Sequence, residues 1–328
     1  MAKLLDKPFF KIAKNTFSGF SNDKGLKLSA SLAYYTIFAL APLLLLLISL
    51  AGIFLGKDAI QGKIFGELRG LLGTTAALQV QDMIASIELS GKSTVAFIIG
   101  IVTSLVGATS IFGEIQDSIN SIWKVKAKPK RGWLKMLKDR LLSSSIIVSL
   151  GFLLVVSLVV NGALLAFTDR LSRMVPQITV FIAEILNVVI SFLVITVLFA
   201  TIFKVLPDVK IKWKDVRVGA IFTACLFMIG RFVIGLYIST TGAGSTFGAA
   251  GSLIVILLWV YYTAAILYLG AEFTQVYAEF KGHHIEPADF AVHIEQKEVE
   301  KDVRVLPPQH EDMHEETTEE KPGKKPEA

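Results

Sequence analysis

Six stretches of almost purely apolar residues, each about 20 residues long or longer, constrain this chain more than any other feature. They lie at residues 31–55, 94–113, 141–167, 178–203, 216–238 and 249–271. An α-helix of this length crosses a hydrocarbon layer about 30 Å thick, because it rises about 1.5 Å per residue. The composition agrees, since 53% of the 328 residues are hydrophobic and only 19% are charged, unlike soluble domains. The sequence therefore predicts an all-α, polytopic membrane protein with six transmembrane helices and short amphipathic helices.

Basic residues between the apolar stretches predict the orientation of the chain, because basic loops resist translocation. Lysines and arginines are concentrated before the first stretch, between the second and third, and between the fourth and fifth. The alternate loops contain few of them. Both termini are therefore expected in the cytoplasm, and an even number of crossings gives the same result independently.

The composition divides the chain into three regions. Residues 1–30 form a cytoplasmic segment, and residues 31–280 form the transmembrane domain, with an external helical loop at residues 56–93. After residue 280 the sequence becomes acidic and proline-bearing, and such a composition cannot bury enough apolar surface to fold. Residues 281–328 are therefore predicted to be a disordered cytoplasmic tail.

The N-terminal segment carries an amphipathic helical pattern. Apolar residues recur at helical spacing, with lysines on another side, at Phe9, Ala13, Phe17 and Phe20. This pattern is typical of an interfacial helix on an anionic membrane surface. An ordinary amphipathic helix packed under the bundle explains it equally well, so both interpretations stay open.

Arg231 interrupts the apolar stretch at residues 216–238. A charge at membrane depth costs at least about 2.5 to 3.5 kcal/mol, so it usually faces the bundle interior and has a partner. Counting along the helices places Glu184 at a similar depth, with Asn187 one turn deeper. We expect Arg231 to face Glu184. This group either lines a polar cavity that contacts an anionic or zwitterionic substrate, or fixes helix register, or Arg231 extends to the outer interface.

A second polar set occupies the inner ends of the second and sixth apolar stretches. It comprises Glu114, Asp117, Asn120 and Glu272. The first three recur at three-residue steps and therefore lie broadly along one side of a helix. These residues are candidates for an inner gate or a proton-coupled site. The alternative is an interfacial hydrogen-bonding cluster near the headgroups.

The sequence offers little basis for catalysis. It has no Walker motif and no glycine fingerprint after a strand, which argues against nucleotide binding. All five histidines lie between residues 283 and 314 without the spacing of a zinc or hydrolase motif. The basic loops are explained by orientation. We therefore expect no enzyme activity, no cofactor or metal, and no nucleic-acid partner.

Four stretches together resemble the YihY family, also called the BrkB family and once labelled ribonuclease BN. They are "SLAYYTIFALAPLLLLLISLAG", "IQDSINSIWKV", "LPDVKIKWKDVRVGA" and "FGAAGSLIVILLWVYYTAAILYLGAEFTQVYA". The resemblance implies a six-helix protein of the bacterial inner membrane with both termini in the cytoplasm. It also implies a link to envelope integrity and to the export of small solutes or lipids. Phe247 and Ala265 depart from the family's frequent Tyr and Gln, so no polar role is expected there.

Two functions are compatible with these patterns. The first is export or translocation of a small solute or lipid, with the Arg231 group in an outward cavity and the second polar set at the inner mouth. The second is a non-transporting scaffold that binds anionic membrane lipids through its basic loops and recruits a protein through its acidic tail. A water-filled cavity at Arg231 favours the first function, and a dry, closely packed bundle favours the second.

Overall fold

The computed structural model describes residues 8–39, 107, 110–128, 176–241 and 249–295. The third apolar stretch, at residues 141–167, lies outside this part of the chain, as do the external loop and most of the first two stretches. The amphipathic helices predicted in that loop, and the tail after residue 295, also lie outside it.

The described residues are mostly helical. Helix α1 spans Pro8–Asn22, and helices α2 and α3 are described over residues 25–39 and 110–122. The three longest of the described helices are α4 at Pro176–Val205, α5 at Trp213–Thr241 and α6 at Ala249–Phe280. Their residues are apolar on nearly every side, which is typical of helices buried in lipid or protein.

Three segments of the described chain are long and apolar enough to cross a membrane. They are Val188–Val205 in α4, Trp213–Ile234 in α5 and Ile254–Phe280 in α6. They overlap the predicted apolar stretches at residues 178–203, 216–238 and 249–271, so the helical conformation of these three stretches is confirmed. The total of six transmembrane helices stays a prediction.

Helix α5 packs against both α4 and α6, and α1 packs against α6. The core between them contains the fully buried side chains of Ile119, Phe203, Val216 and Tyr268. Many apolar side chains on the other faces of α4 and α5 are exposed, including Leu193. Faces of this kind suit a hydrocarbon surrounding, because apolar side chains there meet acyl chains rather than water.

Helices α5 and α6 approach each other through reciprocal glycine–threonine contacts. Gly219 faces Thr274 and Gly270 faces Thr223, and a Cβ on either glycine would lie 1.9 Å from the threonine Oγ1. Each threonine is fully buried and donates its hydroxyl hydrogen to the carbonyl of the glycine on its own helix, at 2.7 Å. Small residues at these positions allow the two backbones to approach closely.

The same five-residue pattern provides both halves of this contact. It reads GAIFT at residues 219–223 and GAEFT at residues 270–274. The phenylalanines of the two copies, Phe222 and Phe273, stack with their ring centroids 3.9 Å apart. The two copies therefore meet reciprocally across the interface: the glycine of each copy faces the threonine of the other, and the two phenylalanines face each other.

Two short antiparallel strand pairs lie at the end of the bundle that the loop charges predict to be cytoplasmic, called the inner end below. Strand β1 (Val125–Ala127) pairs with β4 (Ala291–His293), and β2 (Val209–Lys210) pairs with β3 (Glu286–Pro287). The chain that follows α6 therefore joins the loop after α3 to the loop after α4. These pairs are a minor departure from the predicted all-α fold.

The structure also differs from the predicted tail at residues 281–328. Residues 281–294, called the C-terminal strap below, contain β3 and β4 and belong to the same compact unit as the helices. Ile285 and Ala291 of the strap pack against the hydrophobic core. The composition misled the prediction because the strap is stabilised by backbone pairing with existing loops, which local composition does not report.

Candidate functional site

A buried polar cluster joins α3 to the turn that follows α4. Asp208 is buried, and its carboxylate accepts hydrogen bonds from Asn120 Nδ2 at 2.9 Å and from Gln116 Nε2 at 3.2 Å. The backbone N–H of Asp208 donates to Asn120 Oδ1, also at 2.9 Å. Hydrogen bonds to the charged form stabilise a buried carboxylate. Asn120 therefore holds the turn after α4 against α3.

The other members of the inner polar set lie in different surroundings. Glu114 and Asp117 lie on α3, as Asn120 does. The side chain of Glu114 is half-buried, whereas that of Asp117 is exposed and interacts with a neighbouring group. Glu272 on α6 contacts a separate group of residues. The sequence therefore identified residues of the inner end, but the described contacts divide them into two groups.

Glu272 lies in the inner part of α6 with only 3% of its surface exposed. Its carboxyl group is within hydrogen-bond reach of the carboxyl group of Asp23, in the turn between α1 and α2. Asp23 in turn forms an ion pair with Lys124, which follows α3. Among the described residues, Oε1 of Glu272 has no hydrogen-bond partner. We call Asp23, Lys124 and Glu272 the inner carboxyl site.

Gly19 of α1 makes room for the inner carboxyl site. A Cβ at this position would lie 2.6 Å from Oε2 of Glu272, which is closer than real carbon–oxygen contacts. The Trp123 indole N–H donates to the carbonyl of Ala271 at 3.1 Å and so holds α3 against the same turn of α6. Residues of α1 and of the turn after α3 therefore contact the turn of α6 that carries Glu272.

The turns that carry Asp23 and Lys124 have the same backbone conformation. Lys24 lies in the turn after α1 and Lys124 in the turn after α3, and both have φ of 55°. The amide of Lys24 donates to the Ser21 carbonyl and that of Lys124 to the Ser121 carbonyl, at 3.1 and 3.2 Å. A left-handed conformation costs a residue with a Cβ roughly 1–2 kcal/mol. Local strain of this kind is often found at functional sites.

The two copies of the GAxFT pattern differ at the third position, which is Ile221 on α5 and Glu272 on α6. Ile221 occupies the third position of the pattern on α5 and is 47% exposed, whereas Glu272 occupies it on α6 and is buried. An apolar residue therefore faces outward on one helix while an acid faces inward on the other. The packing of the two helices does not require an acid at this position.

Arg231 lies in α5, three residues before the end of the apolar segment Trp213–Ile234, and it is exposed. Its neighbours Phe232 and Val233 are exposed as well. Glu184 and Asn187 are on α4, which packs against α5, but their side chains lie outside the described residues. The pairing of Arg231 with Glu184 therefore stays a prediction.

The C-terminal strap is fixed to the inner end by polar contacts as well as by strand pairing. Nδ1 of His283 lies 2.9 and 3.0 Å from the two carboxylate oxygens of the buried Asp215, in the first turn of α5. The Ala288 N–H donates to the Asp208 carbonyl at 2.9 Å. These contacts could not be predicted from the sequence, because a lone histidine and a lone aspartate 68 residues apart form no motif.

One ion pair of the strap is open to solvent. The hydrogen bond from the Lys210 ammonium to Asp289 lowers the pKa of that carboxyl, and the same contact raises the pKa of Lys210. Both side chains are exposed. Pairs of this kind contribute little to stability.

The fold and these buried polar groups define a helical membrane protein whose inner end is held together by contacts between its loops. The chain matches the family model described as "Virulence factor BrkB" over residues 16–291. It therefore belongs to the BrkB family, and the family expected from the sequence motifs is confirmed. The match includes residues 16–22 of α1 and most of the C-terminal strap.

The chain is similar to several UPF0761 membrane proteins. It is 26% identical to one from Stenotrophomonas maltophilia strain K279a, over 81% of this chain and 61% of the relative. It is 28% identical to one from Azotobacter vinelandii, over 78% of this chain and 60% of the relative. The chain thus spans about three fifths of the length of these relatives. No solved structure matches. The relatives support a membrane location, whereas the inner membrane and the orientation stay predictions.

Proposed function

We propose that this protein translocates an anionic or zwitterionic small solute or lipid across the membrane and thereby supports the integrity of the cell envelope. The observation that carries the proposal is Arg231, a permanent cation exposed in the part of α5 that follows Arg217 and is otherwise uncharged. A cation in this setting needs water or an anionic partner, because exposure to acyl chains alone is costly. A phosphate or carboxylate of a passing substrate would supply that partner.

The position of Arg231 along α5 supports this interpretation. The helix continues for ten residues beyond it, to Thr241, which corresponds to about 15 Å. The guanidinium therefore belongs to the outer half of the helix rather than to its end. The buried Glu272 provides an ionisable group near the opposite end of the bundle. No Walker motif is present in the sequence. Translocation would therefore be driven by an ion gradient or by the substrate's own gradient.

Purified protein in vesicles tests the proposal with two anionic probes. Fluorescent phosphatidylglycerol in the inner leaflet, read by its accessibility to dithionite, reports lipid movement, and release of entrapped carboxyfluorescein reports solute movement. We expect the wild type to move at least one probe faster than protein-free vesicles. Arg231→Leu should slow that movement by about tenfold, and Arg231→Lys should retain more of it because the charge remains.

Arg217→Leu is the matched control, because Arg217 lies on the same helix at its inner end, where its Nε–H donates to the Trp213 carbonyl. This variant should move the probe at the wild-type rate. Equal rates for the wild type and Arg231→Leu would remove Arg231 from the mechanism. Failure of the inserted, folded wild type to move either probe would contradict translocation of anions.

A second candidate function is a lipid-binding scaffold, and helix α1 favours it. Phe9, Phe10 and Phe17 are exposed on α1, together with Lys11 and Lys14. Exposed aromatic residues beside lysines suit an anionic membrane surface. A protein that retains phosphatidylglycerol during purification, loses it on Lys11→Glu and Lys14→Glu substitution, and moves neither probe would support the scaffold.

A further inference from the structure

We propose that Asp23 and Glu272 form a proton-binding site, in which the two carboxyl groups share one proton and Lys124 neutralises the remaining negative charge. The inference rests on the geometry of the inner carboxyl site and does not depend on whether the protein transports a substrate. It assigns a ligand to Glu272 and brings Asp23, a residue outside the apolar stretches, into the same site.

The contact between the two acids carries the argument. The Glu272 carboxyl lies against Gly19 of α1, and the carbonyl of Gly19 accepts the Asp23 N–H at 2.8 Å. The Asp23 carboxyl is within hydrogen-bond reach of the Glu272 carboxyl. Two ionised carboxylates have only acceptor atoms, so they cannot form that bond, and their charges repel. One proton resolves both problems, because it supplies the donor and removes one charge. Paired carboxyls that share one proton are a known arrangement in proteins.

The neighbouring charges place the proton between these two acids. Lys124 pairs with Asp23, whose side chain is 13% exposed, while the lysine itself is 41% exposed. Among the residues that the structure describes, the charged groups that face Glu272 are Asp23, Lys124 and Glu279, the last on the same helix and exposed. Asp23 and Lys124 form a neutral pair, so an ionised Glu272 would leave one net negative charge in a buried position. Such a charge is costly unless it is compensated.

Glu272 also has capacity for a further donor. Its side chain is more than nine-tenths buried, and Oε1 has no hydrogen-bond partner in the part of the chain that the structure describes. Buried oxygens of this kind usually bear a proton or accept a hydrogen bond from a bound water. Gly19 allows the carboxyl to sit directly against α1. The position of this carboxyl is therefore determined by the backbone of α1 and not only by flexible side chains.

A proton fits the site better than a metal ion. Hard cations take six or more oxygen ligands, whereas the site offers two carboxyl groups. Within the described ranges no group of three or more histidine, cysteine, aspartate or glutamate residues could hold a metal. The ammonium of Lys124 would also repel a cation placed beside Asp23. We therefore assign the site to a proton.

Infrared difference spectroscopy of the full chain in lipid nanodiscs tests the assignment. The carbonyl band of a protonated carboxylic acid is recorded while the pH rises past the range in which exposed carboxyls ionise. We expect this band to persist in the wild type. Glu272→Gln and Asp23→Asn should each abolish it, because either new amide donates to the remaining carboxylate and replaces the proton. Glu279→Gln should leave it unchanged, since Glu279 is an exposed acid on the same helix.

Three results would overturn the assignment. The first is the absence of the band from the wild type, and the second is its persistence at full strength in Glu272→Gln. The third is loss of the wild-type band when sodium replaces choline at constant pH, which would show that a metal cation occupies the site. The first and third use the wild type alone, so they decide the question even if a variant fails to fold.

Discussion

Asn120 and Asp208 form two hydrogen bonds with each other, and each residue is the donor in one of them. The Asn120 amide donates to the Asp208 carboxylate, and the Asp208 backbone N–H donates to the Asn120 side-chain oxygen, each at 2.9 Å. The two residues are 88 positions apart in the sequence and are buried together. This reciprocal pair therefore fixes the turn after α4 to α3, at a point where neither residue meets bulk water.

Asn120→Ala should destabilise the protein by about 2–3 kcal/mol, because it leaves a buried carboxylate and a backbone N–H without their partner. Thermal unfolding in detergent measures the loss. Asn15→Ala on the exposed side of α1 is the control and should stay within about 0.5 kcal/mol of the wild type. If Asn120→Ala unfolded at the same temperature as the wild type, the reciprocal pair would make no net contribution to the stability of the protein.

The glycines at the α5–α6 interface give a sharper steric test. Gly219→Ala and Gly270→Ala each place a Cβ 1.9 Å from a buried threonine Oγ1, so the helices must separate or shift. Overpacking of this kind costs typically about 1–3 kcal/mol. Gly113→Ala is the matched control, because a Cβ there meets nothing within 4 Å among the described residues, and alanine favours a helix.

Thermal unfolding of the three glycine variants in the same detergent compares them directly. Thr274→Ala should partly rescue Gly219→Ala, since it removes the closest atom but leaves the threonine Cβ position at 2.9 Å. If Gly113→Ala were as unstable as Gly219→Ala, helix propensity or detergent effects rather than the interface would explain the losses.

The sequence predicted the three long helices because their apolar stretches are longer than any soluble helix core requires. It also predicted Glu272 and Arg231 as candidates, since a charge inside an apolar stretch is visible without a structure. The partners of Glu272 could not be predicted. Asp23 and Lys124 lie in polar turns 101 residues apart, where a charged residue is ordinary.

The strand pairs and the C-terminal strap were missed for a different reason. Strands of two or three residues are too short to show the alternation that predicts a strand. Their pairing depends on loops that the helices bring together, which local composition does not report. The reciprocal GAIFT and GAEFT copies were present in the sequence, but five residues of similarity carry no weight until the two helices are seen to meet.

The exposed Lys210–Asp289 pair predicts a weak pH dependence at the β2–β3 pair. The lowered pKa of Asp289 gives a contribution that is present above the ordinary carboxyl range and lost as the pH falls through the lowered value. The raised pKa of Lys210 gives one that is present below the ordinary lysine range and lost as the pH rises through the raised value. Both contributions are therefore complete near neutral pH.

Amide hydrogen exchange at Lys210 and its neighbours measures this effect. Asp289→Asn should increase exchange slightly at low ionic strength, and the difference should vanish in about 1 M salt, where charges are screened within about 3 Å. Asp117→Asn on α3 serves as the control for a change of net charge elsewhere. A difference that is large or insensitive to salt would contradict a solvent-screened ion pair.

Two truncations separate the C-terminal strap from the residues that follow it. A chain ending at Glu295 keeps β3, β4 and the His283–Asp215 contact, and we expect it to insert and unfold like the full chain. A chain ending at Gly282 loses all three. It should still insert, because the apolar helices remain, but the loops after α3 and α4 lose their strand partners. We therefore expect limited trypsin digestion to cleave near Lys126 and Lys210 several times faster than in the full chain. Equal cleavage rates for the two truncated chains would show that the strap does not hold these loops.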